Sequence, residues 1–289
     1  IKPFYYYWDG SVFAFASEIK ALFVYPGLEK AMEEGLLAEY LSFGYVGGDR
    51  TMFRNVRKLM PGHHLMLREQ NGKWELAIER YWDVPEVGPE EGSEQEWLQR
   101  VEAGLEETVR MRLMADVPLG TFLSGGVDSS LITALVCRMT KGRVKSFSVG
   151  YREAAFSELG FAAEVSAKLG TEHREVVIGC EEFFGSLRKL IWHEDEPIAW
   201  PSSVPLYHIS KRAAQEVKVV LTGEGADELF GGYERYRWNM LNRRAGSVYG
   251  LLPAGLRRGV RSFIGGTDLL GGDLRRKLKH TFLGRDLTM

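Results

Sequence analysis

The stretch "TFLSGGVDSS", from Thr121 to Ser130, decides the fold and raises a question about its ligand. A short apolar segment runs into two glycines, and a polar segment then opens an apolar helix. A glycine-rich turn between a strand and a helix is typical of phosphate-binding loops. The Walker pattern GxxxxGK[ST] also needs a lysine for the terminal phosphates, and this stretch has none. We therefore expect it to hold a phosphate group for a different chemistry.

The segments around this loop alternate between strand and helix patterns. Strands are predicted at 120–124, 144–151, 173–179 and 217–223. Helices are predicted at 94–113, 128–139, 157–169, 181–192 and 204–215, the third with a Ser157 cap and a Gly170 stop. Such alternation predicts an α/β fold, a parallel sheet with helices on both faces. The loop then lies at the carboxyl end of a strand, where such sheets bind ligands.

The residue types in the loop suit a phosphate ligand. Gly125 and Gly126 permit tight turns in which backbone amides approach phosphate oxygens. The helix that follows directs unpaired N–H groups towards the same anion. The hydroxyls of Ser124, Ser129 and Ser130 can donate further hydrogen bonds. The alternative is a tight turn with a serine-rich helix cap and no ligand.

Asp128 is the unexpected member of the loop, because a carboxylate repels phosphate. Its presence is explained if Mg²⁺ lies between the two, since Mg²⁺ binds one or two carboxylates together with phosphate oxygens. The loop therefore fits a departing pyrophosphate–Mg²⁺ unit, for which no lysine is required.

A second motif, "VVLTGEGADELFGGYERY" (Val219–Tyr236), also follows an apolar strand. It places Glu224, Asp227 and Glu228 among four glycines. An acidic helix N-terminus would explain one or two of these acids. It does not explain the crowding of glycines around them.

Composition excludes several classes of protein. The 289 residues carry a net charge of −2, which gives no electrostatic footprint for nucleic acid. No apolar run approaches the roughly 18 residues of a membrane span. Cys137 and Cys180 are the only cysteines, so a disulfide scaffold is excluded and a cytoplasmic location is expected.

An acidic stretch rich in proline and glycine, "DVPEVGPEEGSEQE" (83–96), predicts a linker. We place domains at 1–83 and 97–289 with the linker at 84–96; a long surface loop within one domain is the alternative. Before the linker, a strand at 11–17, a short helix capped by Ser17, a second helix ending at Gly44 and a strand after a Pro-Gly turn indicate an α+β domain.

Both motifs resemble those of the glutamine-dependent asparagine synthetases. "SGGVDSS" resembles the pyrophosphate loop (PP-loop) of ATP pyrophosphatases, which GMP and NAD synthetases and tRNA-modifying enzymes share. "TGEGADELFGGY" and "DEPIAWPSSVPLYHIS" (195–210) resemble the asparagine synthetases more specifically. "IKPFYYYW", "FASEIKALF" and "KLMPGHHL" resemble the end of that family's glutaminase domain.

The resemblance implies a parallel-sheet synthetase domain of the adenine nucleotide alpha-hydrolase-like type, preceded by the C-terminal part of an α+β Ntn-type glutaminase domain. In that family the glutaminase nucleophile is an N-terminal cysteine, which with its glutamine pocket would precede Ile1. The family's synthetase domain also continues past Met289. We therefore expect a piece of a longer protein, with its synthetase domain incomplete and no glutamine hydrolysis of its own.

The resemblance also implies a reaction. ATP and Mg²⁺ activate the side-chain carboxylate of aspartate as an acyl-adenylate, releasing pyrophosphate, and ammonia from glutamine then displaces AMP to give asparagine. Carried over to matching positions, the pyrophosphate ligands are Ser124, Gly125, Gly126, Asp128 and Ser129. The adenosine site is formed by Leu123, Val149, Thr222 and Gly223. The Mg²⁺ ligands are Asp128 and Asp227, and the base that deprotonates ammonia is Glu224.

Two other functions stay open at this point. A β-lactam synthetase or another biosynthetic amidotransferase would use the same loop on a different carboxylate. A non-catalytic scaffold would keep the fold alone, although the retained Ser124, Asp128, Glu224 and Asp227 argue against it. A homodimer is a further expectation.

Overall fold

The structure is a computed structural model that describes residues 2–86, 88, 90–266, 278, 281 and 283. The chain divides into two compact units, Ile1–Thr222 and Gly223–Met289. The C-terminal end of the 97–289 region lies largely outside the described residues. None of the described helices combines the length and the apolar composition needed to cross a membrane.

The first unit begins with a small α+β region. Its elements are β1 Tyr5–Trp8, β2 Phe13–Ala16, α1 Ile19–Leu22, α2 Leu37–Phe43, β3 Val56–Lys58, β4 His63–Gln70 and β5 Lys73–Arg80. An antiparallel sheet has the order β2-β1-β3, and β4 pairs with β5 in a separate hairpin. Helix α2 ends at Gly44, whose φ of 79° gives the left-handed stop that its sequence predicts.

The rest of the first unit is built around a parallel sheet. Its elements are α3 Glu94–Arg112, β6 Leu119–Phe122, α4 Val127–Met139, β7 Lys145–Tyr151, α5 Leu159–Leu169, β8 Glu172–Ile178, α6 Cys180–Glu194, α7 Ser203–Ala213 and β9 Val219–Leu221. The strand order is β8-β7-β6-β9, and all three pairings are parallel. The predicted alternation of strands and helices is confirmed.

Alternating side chains of the parallel strands bury the two faces of the sheet against different helices. On one face, Leu221 packs in a cluster with Val109 of α3 and Val136 of α4. On the other face, Phe147 packs against Ile209 and its neighbours on α7. Both faces are therefore covered by helices, as the sequence pattern predicts.

Helix α3 begins inside the stretch predicted as a linker. Ser93 forms a capping box with Glu96: the Glu96 N–H donates to Ser93 Oγ at 3.3 Å, and the Ser93 N–H donates to Glu96 Oε2 at 2.7 Å. The last three residues assigned to the linker, 94–96, are therefore helical.

Two predicted serine caps are wrong. The residue that precedes α5 is Glu158, and no side chain caps this helix end, so Ser157 is not its cap. The residue that precedes α1 is Glu18, also without a side-chain cap of its own, so Ser17 does not cap α1. The carboxylate of Asp195 accepts the first α1 amides instead.

The second unit is helical in its described residues. It contains α8 Ala226–Phe230, α9 Glu234–Gly250 and α10 Ala254–Gly266. Helix α8 lies between two glycines with positive φ, Gly225 at 91° and Gly231 at 67°. These left-handed residues, which favour glycine, isolate a five-residue acidic helix.

Candidate active site

The phosphate-type loop leaves the carboxyl end of β6, next to β7. The Leu123 N–H donates to the Phe147 carbonyl at 2.9 Å, and Ser148 Oγ donates to the Leu123 carbonyl. Leu123 is buried, so the chain is fixed in the sheet up to the residue before the turn. Ser124, the next residue, is exposed and starts the loop.

Gly125 is required by both its conformation and its surroundings. Its φ of 84° lies in the left-handed region. A Cβ added there would lie 2.6 Å from the Ala162 backbone nitrogen and 2.6 Å from Phe161 Cβ. The turn therefore packs directly against the first turn of α5, and only glycine fits.

Serine hydroxyls hold the turn in shape. Ser124 Oγ and Ser129 Oγ are 2.9 Å apart, and the Ser124 N–H donates to Ser129 Oγ at 3.1 Å. The Gly126 N–H donates to Ser124 Oγ at 3.3 Å, and Ser129 Oγ lies 3.3 Å from the Gly126 carbonyl. This network connects both ends of the loop.

The first turn of α4 presents the groups expected to meet an anion. Its first amides have no acceptor within the helix, as at any helix N-terminus. The buried Ser130 hydroxyl has no hydrogen-bond partner among the described residues. Asp128 is half-buried, and no described residue forms an ion pair with its carboxylate. Donors and one carboxylate thus lie together at the helix start.

The sheet also aligns two predicted adenosine contacts with this loop. Val149 lies two residues beyond Phe147, which pairs with Phe122 at the end of β6. Thr222 directly follows Leu221, which pairs with Thr121 on the other side of β6. Val149 and Thr222 therefore flank the carboxyl edge from which the loop leaves.

In the second unit, the acidic motif folds into a turn and the short helix α8. Gly223 precedes the exposed Glu224, and the Ala226 N–H donates to the Gly223 carbonyl at 3.4 Å. Gly232 lies against Asp227: a Cβ added at Gly232 would come within 2.1 Å of Asp227 Oδ1. The crowding of glycines has a physical reason here, because it leaves room for a carboxylate.

Glu228, the third acid of this motif, has a partner within the motif. The Tyr233 hydroxyl donates to Glu228 Oε1 at 2.7 Å. This bond and a backbone N–H bond at Glu228 together lower the pKa of the Glu228 carboxyl. The hydrogen bond to Glu228 also raises the pKa of Tyr233 to about 12. Glu228 therefore has a structural role, in contrast to the roles predicted for Glu224 and Asp227.

Among the described residues, no group of three or more His, Cys, Asp or Glu side chains is close enough to hold a metal ion. Mg²⁺ bound to a nucleotide needs only one or two carboxylates, because phosphate oxygens and water complete its coordination. The donor set of the loop, one carboxylate beside the amides at the start of α4, fits that kind of ion.

Sequence reasoning missed the residues that support the loop. Ser148 holds the Leu123 carbonyl, and Phe161 with Ala162 packs against Gly125. A signal existed for Ser148, since a serine within an apolar strand must find a hydrogen-bond partner when buried. No local signal identifies Phe161, because its contact depends on how α5 packs.

Two family models match the chain. The model described as asparagine synthase matches residues 100–287, and the model described as a glutamine amidotransferase domain matches residues 1–82. With the observed parallel sheet, these matches confirm the expected fold class: a synthetase domain of the ATP pyrophosphatase type, preceded by part of a glutaminase-type domain.

Several curated proteins are similar to this chain. It is 38% identical over 237 residues to glutamine-hydrolysing asparagine synthetase 1 of Bacillus subtilis, covering 82% of this chain and 37% of that protein. It is 35% identical over 276 residues to a Mycobacterium bovis protein provisionally given the same activity, covering 89% of this chain and 41% of that protein. The chain thus spans about two fifths of the length of these relatives.

A likeness among solved structures is weaker. The NH3-dependent NAD synthetase of Campylobacter jejuni is 19% identical to this chain and superposes with a TM-score of 0.34. The match covers 47% of this chain and 60% of the NAD synthetase chain.

Proposed function

The chain belongs to the asparagine synthase family, and from this premise we propose that it serves an ATP-dependent ligase that converts aspartate to asparagine with glutamine as the amide donor. The observation that carries the proposal is the loop at the carboxyl end of β6, where serine hydroxyls, helix amides and Asp128 lie together. A non-catalytic scaffold would have no need for a half-buried carboxylate in that turn.

The loop is proposed to hold the pyrophosphate released from ATP. The backbone at Gly125 and Gly126, the hydroxyls of Ser124, Ser129 and Ser130, and the start of α4 supply the donors. Their support is the preformed hydrogen-bond network and the close packing of Gly125, which fix the donors before the ligand arrives. The Asp128 carboxylate cannot donate a hydrogen bond to phosphate, because it carries no proton when ionised. A cation is therefore its natural partner.

Asp128 and Asp227 are proposed as the protein ligands of Mg²⁺. The support for Asp128 is its position in an anion-binding turn without an ion-pair partner in the described chain. The support for Asp227 is the family motif and the space that Gly232 leaves for its carboxylate. When bound, Mg²⁺ neutralises charge on the departing pyrophosphate.

Leu123, Val149, Thr222 and Gly223 are proposed to line the adenosine site. The support for the first three is their place along the carboxyl edge of neighbouring strands, where parallel sheets bind nucleotides. Gly223 directly follows Thr222 at the start of the second unit.

Glu224 is proposed as the general base of amide formation. Ammonia attacks the carbonyl carbon of the aspartyl adenylate, a C–N bond forms, and the bond to the AMP oxygen breaks. The proton lost by the attacking nitrogen passes to the Glu224 carboxylate. The support is its exposed position in the turn that follows β9, together with the family motif.

Three further properties are proposed with the function. The domain boundary lies at 84–96, between regions 1–83 and 97–289, and the family matches on either side support it. The protein acts in the cytoplasm, a location supported by its two free cysteines, Cys137 half-buried and Cys180 exposed. It forms a homodimer, which light scattering tests.

The decisive experiment supplies ATP, Mg²⁺, aspartate and ammonia to the full-length natural protein and follows pyrophosphate and asparagine together. We expect one pyrophosphate per asparagine. Pyrophosphate release that depends on another carboxylate, with none in the presence of aspartate, would contradict the proposed substrate.

A further inference from the structure

Asp195 occupies an unusual position at the end of α6. Its φ of 61° is left-handed, which few residues other than glycine adopt. Its side chain is only 7% exposed. A charged side chain that is nearly buried on a left-handed backbone must be compensated by specific contacts.

Those contacts come from α1, which lies about 175 residues earlier in the chain. The Ile19 N–H donates to Asp195 Oδ2 at 2.7 Å, and the Lys20 N–H donates to Oδ1 at 3.3 Å. The Lys20 ammonium donates to the same Oδ1 at 3.2 Å. Asp195 thus caps a helix that has no side-chain cap of its own.

The residues after Asp195 continue along the same region. Tyr40 Oη donates to the Pro197 carbonyl at 2.5 Å. A Cβ added at Gly44, which has positive φ, would lie 3.1 Å from Ala199 Cβ. The segment from Asp195 to Ala199 therefore contacts both α1 and the end of α2.

These contacts join the two family-matched regions within the first unit. Helices α1 and α2 lie in the range that matches the glutamine amidotransferase model, and Asp195–Ala199 lies in the range that matches the asparagine synthase model. We name the contacts of Asp195 with Ile19 and Lys20, and of Pro197 with Tyr40, the junction.

The junction contains a partly buried group of oppositely charged side chains. The Lys20 side chain is 19% exposed and forms ion pairs with both Asp195 and Glu18. Burial lowers the pKa of Lys20, but its hydrogen bonds to Glu18 and Asp195 outweigh this, and the net pKa is raised. Removing one member of such a partly buried group leaves the others without compensation.

We propose that Asp195 is a positioning residue that holds the amidotransferase region against the synthetase region, so that ammonia released in one reaches the adenylate in the other. The inference rests on the proposed function. Ammonia that escapes into water becomes protonated and is lost as a nucleophile. A loosened junction therefore wastes glutamine without harming the synthetase chemistry itself.

The test is Asp195→Asn in the full-length natural protein. Asparagine tolerates the left-handed backbone and keeps one acceptor, but its amide group turns a donor towards the Lys20 donors. We expect hydrogen exchange at the Ile19 and Lys20 amides to accelerate about tenfold, in line with the loss of a charge-assisted hydrogen bond. We expect the ratio of glutamate to asparagine formed from glutamine to rise about threefold or more, with ammonia-dependent synthesis unchanged.

Asp9→Asn is the matched control. Asp9 also accepts two backbone N–H bonds, from Ser11 at 2.8 Å and Val12 at 2.7 Å, and one bond from the Tyr7 hydroxyl at 3.0 Å, but all three partners lie within three residues of Asp9 in the chain. We expect the product ratio of this variant to equal that of the wild type. Tyr40→Phe, which removes only the bond to the Pro197 carbonyl, should raise the ratio less than Asp195→Asn does.

The outcomes separate the inference from the proposed function. A wild-type protein that makes no asparagine from ammonia overturns the proposed function. An active wild type whose Asp195→Asn variant keeps the wild-type product ratio overturns the inference, even if the α1 amides exchange faster. A parallel fall of ammonia-dependent and glutamine-dependent synthesis would assign Asp195 to general stability and also overturn it.

Discussion

Two turns of this molecule follow neighbouring parallel strands and carry the candidate chemistry, yet they are organised in opposite ways. The turn after β6 is held by hydroxyls, with Ser124 and Ser129 bonded to each other and to the backbone. The turn after β9 and its short helix are organised around carboxylates, with Glu228 bonded to Tyr233 and Asp227 against Gly232.

The difference shows how a turn can keep a charge available for a ligand. In the loop after β6, neutral groups maintain the shape, so the Asp128 carboxylate is not consumed by an ion pair within the described chain. In the acidic motif, a carboxylate itself maintains the shape, because Glu228 accepts the hydrogen bond from Tyr233. Mutations that exchange or remove these roles test the distinction.

The largest effect is expected from Asp128→Asn. The variant keeps the shape of the side chain but removes the charge proposed to bind Mg²⁺, a contribution of several kcal/mol. Pyrophosphate release by the full-length protein should fall by about 10⁴-fold or more, with the thermal midpoint unchanged. Asp116→Asn, at an exposed aspartate before β6, is the control and should retain full activity. Near-normal turnover of Asp128→Asn at saturating Mg²⁺ would show that Asp128 is not a ligand of Mg²⁺.

Glu224→Gln should separate activation from amide formation. Glutamine is nearly isosteric but cannot accept a proton, so asparagine formation from ammonia should slow by about 10²–10⁴, the usual contribution of a positioned base. Pyrophosphate release should persist as the adenylate accumulates or hydrolyses. Glu228→Gln, at the acid already bonded to Tyr233, should leave the two products coupled. If both products fall together in Glu224→Gln, Glu224 serves binding or activation rather than proton transfer.

Gly125→Ala tests whether the loop depends on the left-handed backbone at Gly125 alone or also on its close packing against α5. Alanine at positive φ costs about 1–2 kcal/mol, and overlap with Ala162 and Phe161 adds about 1–3 kcal/mol. Gly142→Ala is the matched control, because Gly142 has a φ of 98° but nothing within 4 Å of an added Cβ. Urea unfolding should therefore show a smaller loss for Gly142→Ala. Equal losses would mean that the packing of the loop against α5 is unimportant.

The smallest effect concerns the bond inside the acidic motif. Because the folded pKa of Tyr233 is raised to about 12 from 10.0, its contribution to stability is fully present below pH 10 and is lost as the pH rises through about 12. Glu228→Gln should return the Tyr233 titration towards 10, as followed by ultraviolet difference absorbance. Subtraction of the Tyr233→Phe titration identifies the signal. An unchanged titration in Glu228→Gln would show that the hydrogen bond does not exist in solution.

Sequence reasoning reached most of the fold because the fold is encoded locally. Period-two and helical patterns identify the strands and helices around the loop, and Gly44 and Gly170 mark helix ends at left-handed residues, as observed. The position of the loop at a strand end follows from the same alternation. The roles of Leu123, Val149, Thr222, Gly223, Glu224 and Asp227 stay predictions.

The sequence could not reveal interactions between distant segments. Ser17 is a plausible cap for α1 by every local rule, but the Asp195 carboxylate reaches the α1 amides first, because tertiary packing brings the end of α6 there. Ser157 likewise fails as the cap of α5. It lies instead beside Gly150, where an added Cβ would come within 2.5 Å of Ser157 Oγ. Such contacts depend on packing that no short pattern records.

The order of strands in the parallel sheet has a consequence for how the protein folds. Strand β6 pairs with β7 across a short stretch of chain, since Gly120 lies beside Lys145. Its other neighbour is far away in sequence, since Thr121 lies beside Leu221, a hundred residues further on. Closing the longer loop costs about 1.2 kcal/mol more in chain entropy. We therefore expect β6–β7 to form early and β9 to dock late, so that the edge carrying Thr222 is the last part of the sheet to assemble during folding.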